Sequence, residues 1–445
     1  MVSLVIHLTN SLENNGSSLH FHGIRQNWTS HMDGVASITQ CPVAPGESYT
    51  YKWRATEYGT GWYHSHFYVQ AWNGVFGGYV HPIHPAVMDI LMSFRIQING
   101  PATSNYDVDL GHVFLNDWYH VRTNSNSLIE DYLTIMVKTT ADRLVLEAAT
   151  GGPPTAPNGL INGTNTWNDK GSRFETVFES GKRYRMRLVN AAADQHFRFM
   201  IDNHTMEVIA NDFVPIHPFN TTQLSIGMGQ RYDIIVTSKQ LQTGNFWMRA
   251  IPQSSCSETD ATDKVKAIIR YDNSSTADPT TSAYSYTDSC ADEEPSNLIP
   301  YLKVDASDTY TYKAGENVEV QVTDNAMLWL MNRTSLHTQW EYPTLLQVSE
   351  GNDTWLARQR LISLPEADKW VYFVVHSPFA QDHPMHLHGH DFWLLQAGYG
   401  NFDSSMVGNL TLINAPRRDV VMLPASGYIV GAFKTNNPGV SSSCA

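Results

Sequence analysis

Three histidine pairs at i, i+2 spacing, His20-Phe-His22, His64-Ser-His66 and His386-Leu-His388, constrain the fold of this 445-residue chain more than any other feature. Residues two apart on a β-strand face the same side, about 6.5 Å apart along the backbone. Each pair therefore offers two imidazoles in one direction, a spacing suited to two neighbouring metal ions. Two pairs lie near the N-terminus and one near the C-terminus, so a shared site requires the first and last parts of the chain to meet. His383 opens the stretch HPMHLHGHDF three residues before His386, and on a strand it reaches a different position from the pair.

Strands able to carry these pairs are abundant. SLVIHLTN, ESYTYKWRA, RYRMRLVN, HTMEVIA, RYDIIVTS, NVEVQVT and WVYFVVHS are short, rich in β-branched and aromatic residues, and bounded by turn formers. Helical periodicity is scarce, and SNSLIEDYLTIMVKT (125–139) is its best instance. The length suits two or three domains. Polar breaks near 98–107 and within 272–298 divide the chain into three units, 1–97, 98–285 and 286–445. SLVIHLTN, RYRMRLVN and WVYFVVHS read as the same strand repeated in each. The pattern predicts an all-β protein of repeated β-sandwiches.

Composition narrows the partners. Forty-three acidic against twenty-nine basic residues give a net charge of −14, which disfavours nucleic acid or an anionic membrane and suits small soluble partners. No apolar run approaches the roughly 18 residues of a membrane span. Nine Asn-x-Ser/Thr sequons, at Asn15, Asn27, Asn162, Asn203, Asn220, Asn273, Asn332, Asn352 and Asn409, point to a secreted glycoprotein. The opening MVSLVIHLTN alternates like a strand and lacks the marks of a signal peptide, so either an upstream segment precedes it or the protein is not exported.

A single His pair in a chain rich in Trp and Tyr is more often hydrogen-bonded core or surface than ligand. Three pairs together with His383 make coincidence the weaker reading. Imidazole-dominated ligation suits copper, zinc, iron or nickel, and with neither acidic ligands nor Cys-x-x-Cys nearby copper leads. A zinc hydrolase with the order HxHxDH is the rival for HLHGHD, but here Asp391 follows His390 and the order fails.

With these residues in place, SLHFHGIRQ, GTGWYHSHF, GLINGT, HPMHLHGHDF and APRRDVVMLPASGYIVGAFKTNNPG resemble a fungal laccase of the ascomycete branch, a multicopper oxidase, over nearly the whole chain. The resemblance implies three cupredoxin-like Greek-key β-sandwich domains, copper as cofactor, and a monomer that takes electrons from phenols or aromatic amines and reduces dioxygen to water. By motif, His20 and His386 match ligands of the type 2 copper, His22, His64, His66 and His388 ligands of the type 3 pair, and His383 a ligand of the type 1 copper. Asp33, in HMDGV, matches an acidic residue near the cluster that assists protons. Asp194, in AAADQHF, matches the carboxylate that meets the phenol hydroxyl, with a solvated turn residue as the plain alternative.

Departures from the family pattern are equally specific. Its His-Cys-His motif belongs just after NNPG, where this chain reads Val440-Ser-Ser-Ser-Cys-Ala445. The type 1 copper would then lack its thiolate and one histidine, and each type 3 copper one of three ligands, leaving only the type 2 pair complete. Residues 77–94, GGYVHPIHPAVMDILMSF, stand as an insertion whose His81 and His84 match no ligand, and they should form an exposed excursion at a sandwich edge. The family's opening strands are absent as well, so the first and third domains are expected to be incomplete. Together these features resemble intron retention or a frame change. Among the four cysteines, the resemblance pairs Cys256 with Cys290 and leaves Cys41 free unless Cys444 reaches it. The functional expectation is a laccase-family oxidase that is catalytically deficient as written, with a non-catalytic copper-binding protein as the alternative.

Overall fold

The computed structural model describes residues 3–78, 97–120, 155–238, 244–271, 276–322, 327–337 and 339–444. The helix expected at 125–139 and nearly all of the 77–94 segment, including His81 and His84, lie outside these residues. The chain divides into two compact units, one drawn from Met1–Gly100 and the chain from Lys303 onward, the other Pro101–Leu302. Strands dominate both, and Thr344–Ser349 is the one α-helix among the described residues.

Every strand-like run named above forms a strand. In Pro101–Leu302, six strands in the order Val214–Thr221, Met206–Asn211, Arg231–Thr237, Arg183–Asn190, Val108–Trp118, Asn158–Ile161 make one sheet, and a five-stranded sheet faces it. Alternation along RYRMRLVN explains the packing. Tyr184, Met186 and Leu188 enter the shared core with Phe197, Phe199, Ile234 and Met248. Arg185 and Arg187 take the other face and are also buried. Their charges are matched there, since both guanidiniums pair with the buried Asp233 and Arg187 Nη2 also bonds Asp109 at 2.7 Å.

The other unit repeats this plan around WVYFVVHS. Trp370–His376 runs parallel to Tyr312–Val322 and antiparallel to Gly427–Lys434, just as Arg183–Asn190 runs parallel to Val108–Trp118 and antiparallel to Arg231–Thr237. Ser3–Thr9 likewise pairs antiparallel with Ser48–Arg54. RYRMRLVN and WVYFVVHS thus share the same pairing pattern, whereas SLVIHLTN has one antiparallel partner among the described residues.

The near-continuous apolar run in WVYFVVHS follows from burial on both faces. Tyr372 and Val374 pack with Trp393, Leu395, Tyr428 and Val430 on one side. Val375 packs with Phe392, Leu394, Ile429 and, from the strands His383–Leu387 and Val420–Leu423, with Met385, Val421 and Leu423 on the other. That second face is a sandwich interface, and it seats the His383–Leu387 strand. The predicted all-β class holds, and the disulfide Cys256–Cys290 is formed while Cys41 is free and exposed.

Removing one partner from a buried ion network leaves an uncompensated charge. Asp233→Ala, which removes the carboxylate partner of Arg185 and leaves Arg187 with Asp109, should lower the unfolding free energy by about 3–5 kcal/mol in chemical denaturation; a loss under about 1 kcal/mol would show that water reaches the Arg185 guanidinium.

Candidate metal centre

The short strand Leu19–His22 pairs antiparallel with Trp62–Ser65, placing His20 directly opposite His64. His386 lies on His383–Leu387, and His388 follows in the turn that ends at Gly389. These segments bring six imidazoles of one unit into a single cluster. The His20 ring is 4.0 Å from that of His388, 5.3 Å from His64, 5.6 Å from His66, 5.7 Å from His22 and 5.8 Å from His386. His22 stacks on His386 at 3.9 Å, and His66 lies 5.1 Å from His388. Ligand atoms of His20, His22 and His386, and separately of His20, Asp33 and His388, lie within 4.8 Å of one another.

Backbone and carboxylate contacts orient the rings. Nδ1 of His20 meets the Asp33 carbonyl at 2.9 Å, that of His64 the Ser65 carbonyl at 2.9 Å, and that of His386 the Asp419 carbonyl at 2.8 Å. His388 Nδ1 meets the Asp33 carboxylate at 2.9 Å. A proton fixed on Nδ1 leaves Nε2 with the lone pair. The buried Nε2 of His20 has no hydrogen-bond partner.

Burial keeps several of these rings uncharged. Burial, joined by the neighbouring His20, pushes His64 down to about 3, and burial also holds His66 and His388 below the ordinary imidazole value. These rings are therefore neutral near pH 7, the state a metal requires. Asp33 goes the opposite way, because although burial alone would raise it, His20 and His388 hold it well below the usual carboxylate range. Gly34 makes this placement possible. Its φ of +79° suits glycine, and a Cβ there would stand 1.7 Å from the Leu19 carbonyl oxygen.

His383 takes the different position foreseen for it. Its ring packs edge-on to Trp329 at 4.6 Å and stacks with Phe379 at 5.3 Å, with a buried Nε2 that has no hydrogen-bond partner. Burial pushes it down to about 4. The backbone of Cys444 pairs opposite His386 on the far side of the His383–Leu387 strand from Val420–Leu423.

Asp194 belongs to the other unit. Its Oδ2 is buried without a hydrogen-bond partner, and burial together with Asp117 pushes the carboxyl up to about 7.

Sequence reasoning missed several groups. Asp419 approaches His22 Nε2 at 3.5 Å and His386 Nδ1 at 3.6 Å through its carboxylate. An acid inside the apolar run RDVVML was the available signal. His390 is buried beside Phe433 with an unpartnered Nε2. Asp117 lies next to last in the strand Val108–Trp118, yet it is only 3% exposed.

Comparison with known proteins matches this arrangement to one family. Profiles described as multicopper oxidase match residues 2–84, 111–274 and 322–441. Laccase-1 of Botryotinia fuckeliana is 43% identical, covering 98% of this chain and 71% of its own length. The chain is a multicopper oxidase of the fungal laccase type. A dihydrogeodin oxidase of Aspergillus terreus is 35% identical over 98% of this chain and 73% of its own. The crystal structure of a laccase from Botrytis aclada superimposes with a TM-score of 0.85 at 39% identity, covering 99% of this chain and 77% of that one. The match supports the cupredoxin-like sandwich assignment, and membership of this family implies copper. No described helix is long and apolar enough to cross a membrane.

The donor set of this laccase-type chain fits copper, because the cluster is dominated by neutral, pre-oriented imidazoles. If Asp33 orients His20 and His388 around a metal, Asp33→Ala should weaken copper binding by roughly 10- to 100-fold in a chelator competition. Unchanged affinity would mean that copper sits elsewhere.

Proposed function

We propose that this chain is built for laccase chemistry, the oxidation of phenols or aromatic amines coupled to reduction of dioxygen to water, and that its copper centre is the six-imidazole cluster. The observation that carries this reading is the convergence of His20, His22, His64, His66, His386 and His388 from both ends of the chain around ring separations of 3.9 to 5.8 Å. Copper, when bound, supplies one-electron oxidation of the phenol and a place for dioxygen to be reduced. The chain's own groups have separable parts. His20 and His386 form the type 2 set, His22, His64, His66 and His388 contribute to the type 3 set, and His383 belongs to the type 1 position. Asp33 holds two rings and places a negative charge beside the cluster. Asp194 meets the phenol hydroxyl.

The three domains run 1–97, 98–285 and 286–445 in this reading, and the sequons support a secreted glycoprotein acting as a monomer on small molecules. The family does not fix the reducing substrate, since its members include both a laccase and a dihydrogeodin oxidase.

A polypeptide of this sequence ending at Ala445 binds copper without turning over phenols. A mononuclear blue site requires a Cys thiolate set with two imidazoles, and His383 alone of that set is present. Ser442, Ser443 and Cys444 bring no imidazole to the His386 side of the sheet. The non-catalytic copper-binding reading is thus the proposal for residues 1–445 taken by themselves, and the oxidase reading is the proposal for the architecture they carry.

The test is to load this polypeptide with copper and record blue absorption and oxygen uptake with a simple phenol. Both should be at background, and both should rise when a His-Cys-His ending replaces the residues after Gly439. Laccase-like turnover in the unaltered polypeptide would overturn the deficiency, and continued silence after the replacement would overturn the oxidase architecture.

A further inference from the structure

The loop of residues 191–196 joins the strands Arg183–Asn190 and Phe197–Ile201 and is fastened unusually well. Asn190 donates through Nδ2 to the carbonyls of Gln195 and Ile226 and accepts from the Ala192 N–H. Gln195 Nε2 donates to Ser257 Oγ, and that hydroxyl donates to the Asp194 carbonyl. Beneath the loop, the Asp117 carboxylate accepts from the N–H of Ala193 at 3.0 Å and of Asp194 at 2.9 Å, with the Gln195 N–H as a third donor.

A buried carboxylate under successive backbone N–H groups can serve the fold alone. Here, however, the loop it grips carries a second carboxyl, Asp194, whose Oδ2 is buried and has no hydrogen-bond partner. Two neighbouring carboxyls oppose each other's ionisation, an arrangement that a purely structural clamp does not need.

We propose that Asp117 is a positioning residue for the phenol site. Its grip on residues 193–195 fixes the orientation of Asp194, and its own carboxyl governs how readily Asp194 accepts a hydrogen bond from a phenol hydroxyl. This rests on the reading of Asp194 as the group that meets the phenol. Burial and Asp117 together place Asp194 at about 7, with the Ser257 hydroxyl working in the opposite direction. The groups that face it are thus Asp117 from the end of Val108–Trp118 and Ser257 from the segment after Asn245–Pro252, while the neighbouring Glu258 carboxylate is engaged by Thr155. Below about 7 the Asp194 carboxyl is neutral, and above it Asp194 is an acceptor. Removal of the Asp117 carboxyl lowers that midpoint.

The experiment follows carboxyl carbons of 13C-labelled aspartate by NMR across a pH titration of the folded full chain, with the Asp194 signal assigned by its loss in Asp194→Asn. The Asp194 midpoint should fall by on the order of one pH unit in Asp117→Asn. An unchanged midpoint in a variant with native near-ultraviolet circular dichroism overturns the proposal. Should that variant not fold, the native chain decides: amide protons of Ala193, Asp194 and Gln195 moving together with the Asp117 titration support the clamp, and amides indifferent to it refute it. Calorimetric titration with phenol separates the underlying reading. Weaker, pH-independent binding in Asp194→Asn supports the phenol site, whereas unchanged binding removes that site and with it the functional half of the proposal, even if the two carboxyls prove coupled.

Discussion

The Asp33 carboxylate is buried between two imidazoles, His20 at 3.1 Å and His388 at 2.9 Å, the second of them 355 residues away in sequence. A buried carboxylate without partners is costly, so the Asp33 loop has a stable place only when the last part of the chain delivers His388. The dependence is mutual. Leu19–His22 and Trp62–Ser65 are four residues each, too short to persist as a free ribbon. The sandwich that holds His383–Leu387 through Met385, Val421 and Leu423 provides the rigid partner. Metal centre and assembly of this unit are therefore one arrangement seen from two sides.

Rigidity beneath the cluster comes from ordinary packing. The six-stranded sheet around Trp370–His376 buries both faces, which leaves little freedom for the strand edge beside His383 and His386. The Nδ1 contacts to Asp33, Ser65 and Asp419 then fix ring orientation one histidine at a time. Burial lowers the proton affinity of His64, His66 and His388, so the protein keeps neutral donors ready without help from a bound ion. In the unit of Pro101–Leu302 the same tactic appears with opposite charge. There, buried carboxylates and guanidiniums are paired in the sheet, while Asp194 is left with an unpartnered oxygen.

Much of this was legible in the sequence, for identifiable reasons. Period-two patterning located the strands because each lies in a sheet with one or two buried faces, and the i, i+2 histidines announced a cluster because strand geometry leaves them one shared side. Their meeting across the chain could be inferred only from the need for partners. Asp419 and Asp117 were not legible as site residues. Asp419 sits in the bend between the short strands Arg417–Arg418 and Val420–Leu423 and Asp117 near the end of Val108–Trp118, and the meaning of each depends on which imidazole or loop the folded chain brings beside it. His390 was assigned no role because its ring is set by Phe433, a contact between a loop and a distant strand that spacing does not encode. Gly34 likewise reads as an ordinary turn glycine until the Leu19 carbonyl is found where its side chain would be.

The central claim is that the six-imidazole cluster is where this protein holds copper. Its most direct test is anomalous diffraction at the copper edge from crystals of the copper-loaded protein. The account predicts copper peaks enclosed by His20, His22, His64, His66, His386 and His388, within about 2 Å of imidazole nitrogens. A cluster without anomalous signal, with copper found only at other histidines such as the buried His196 or the exposed His7, would contradict it.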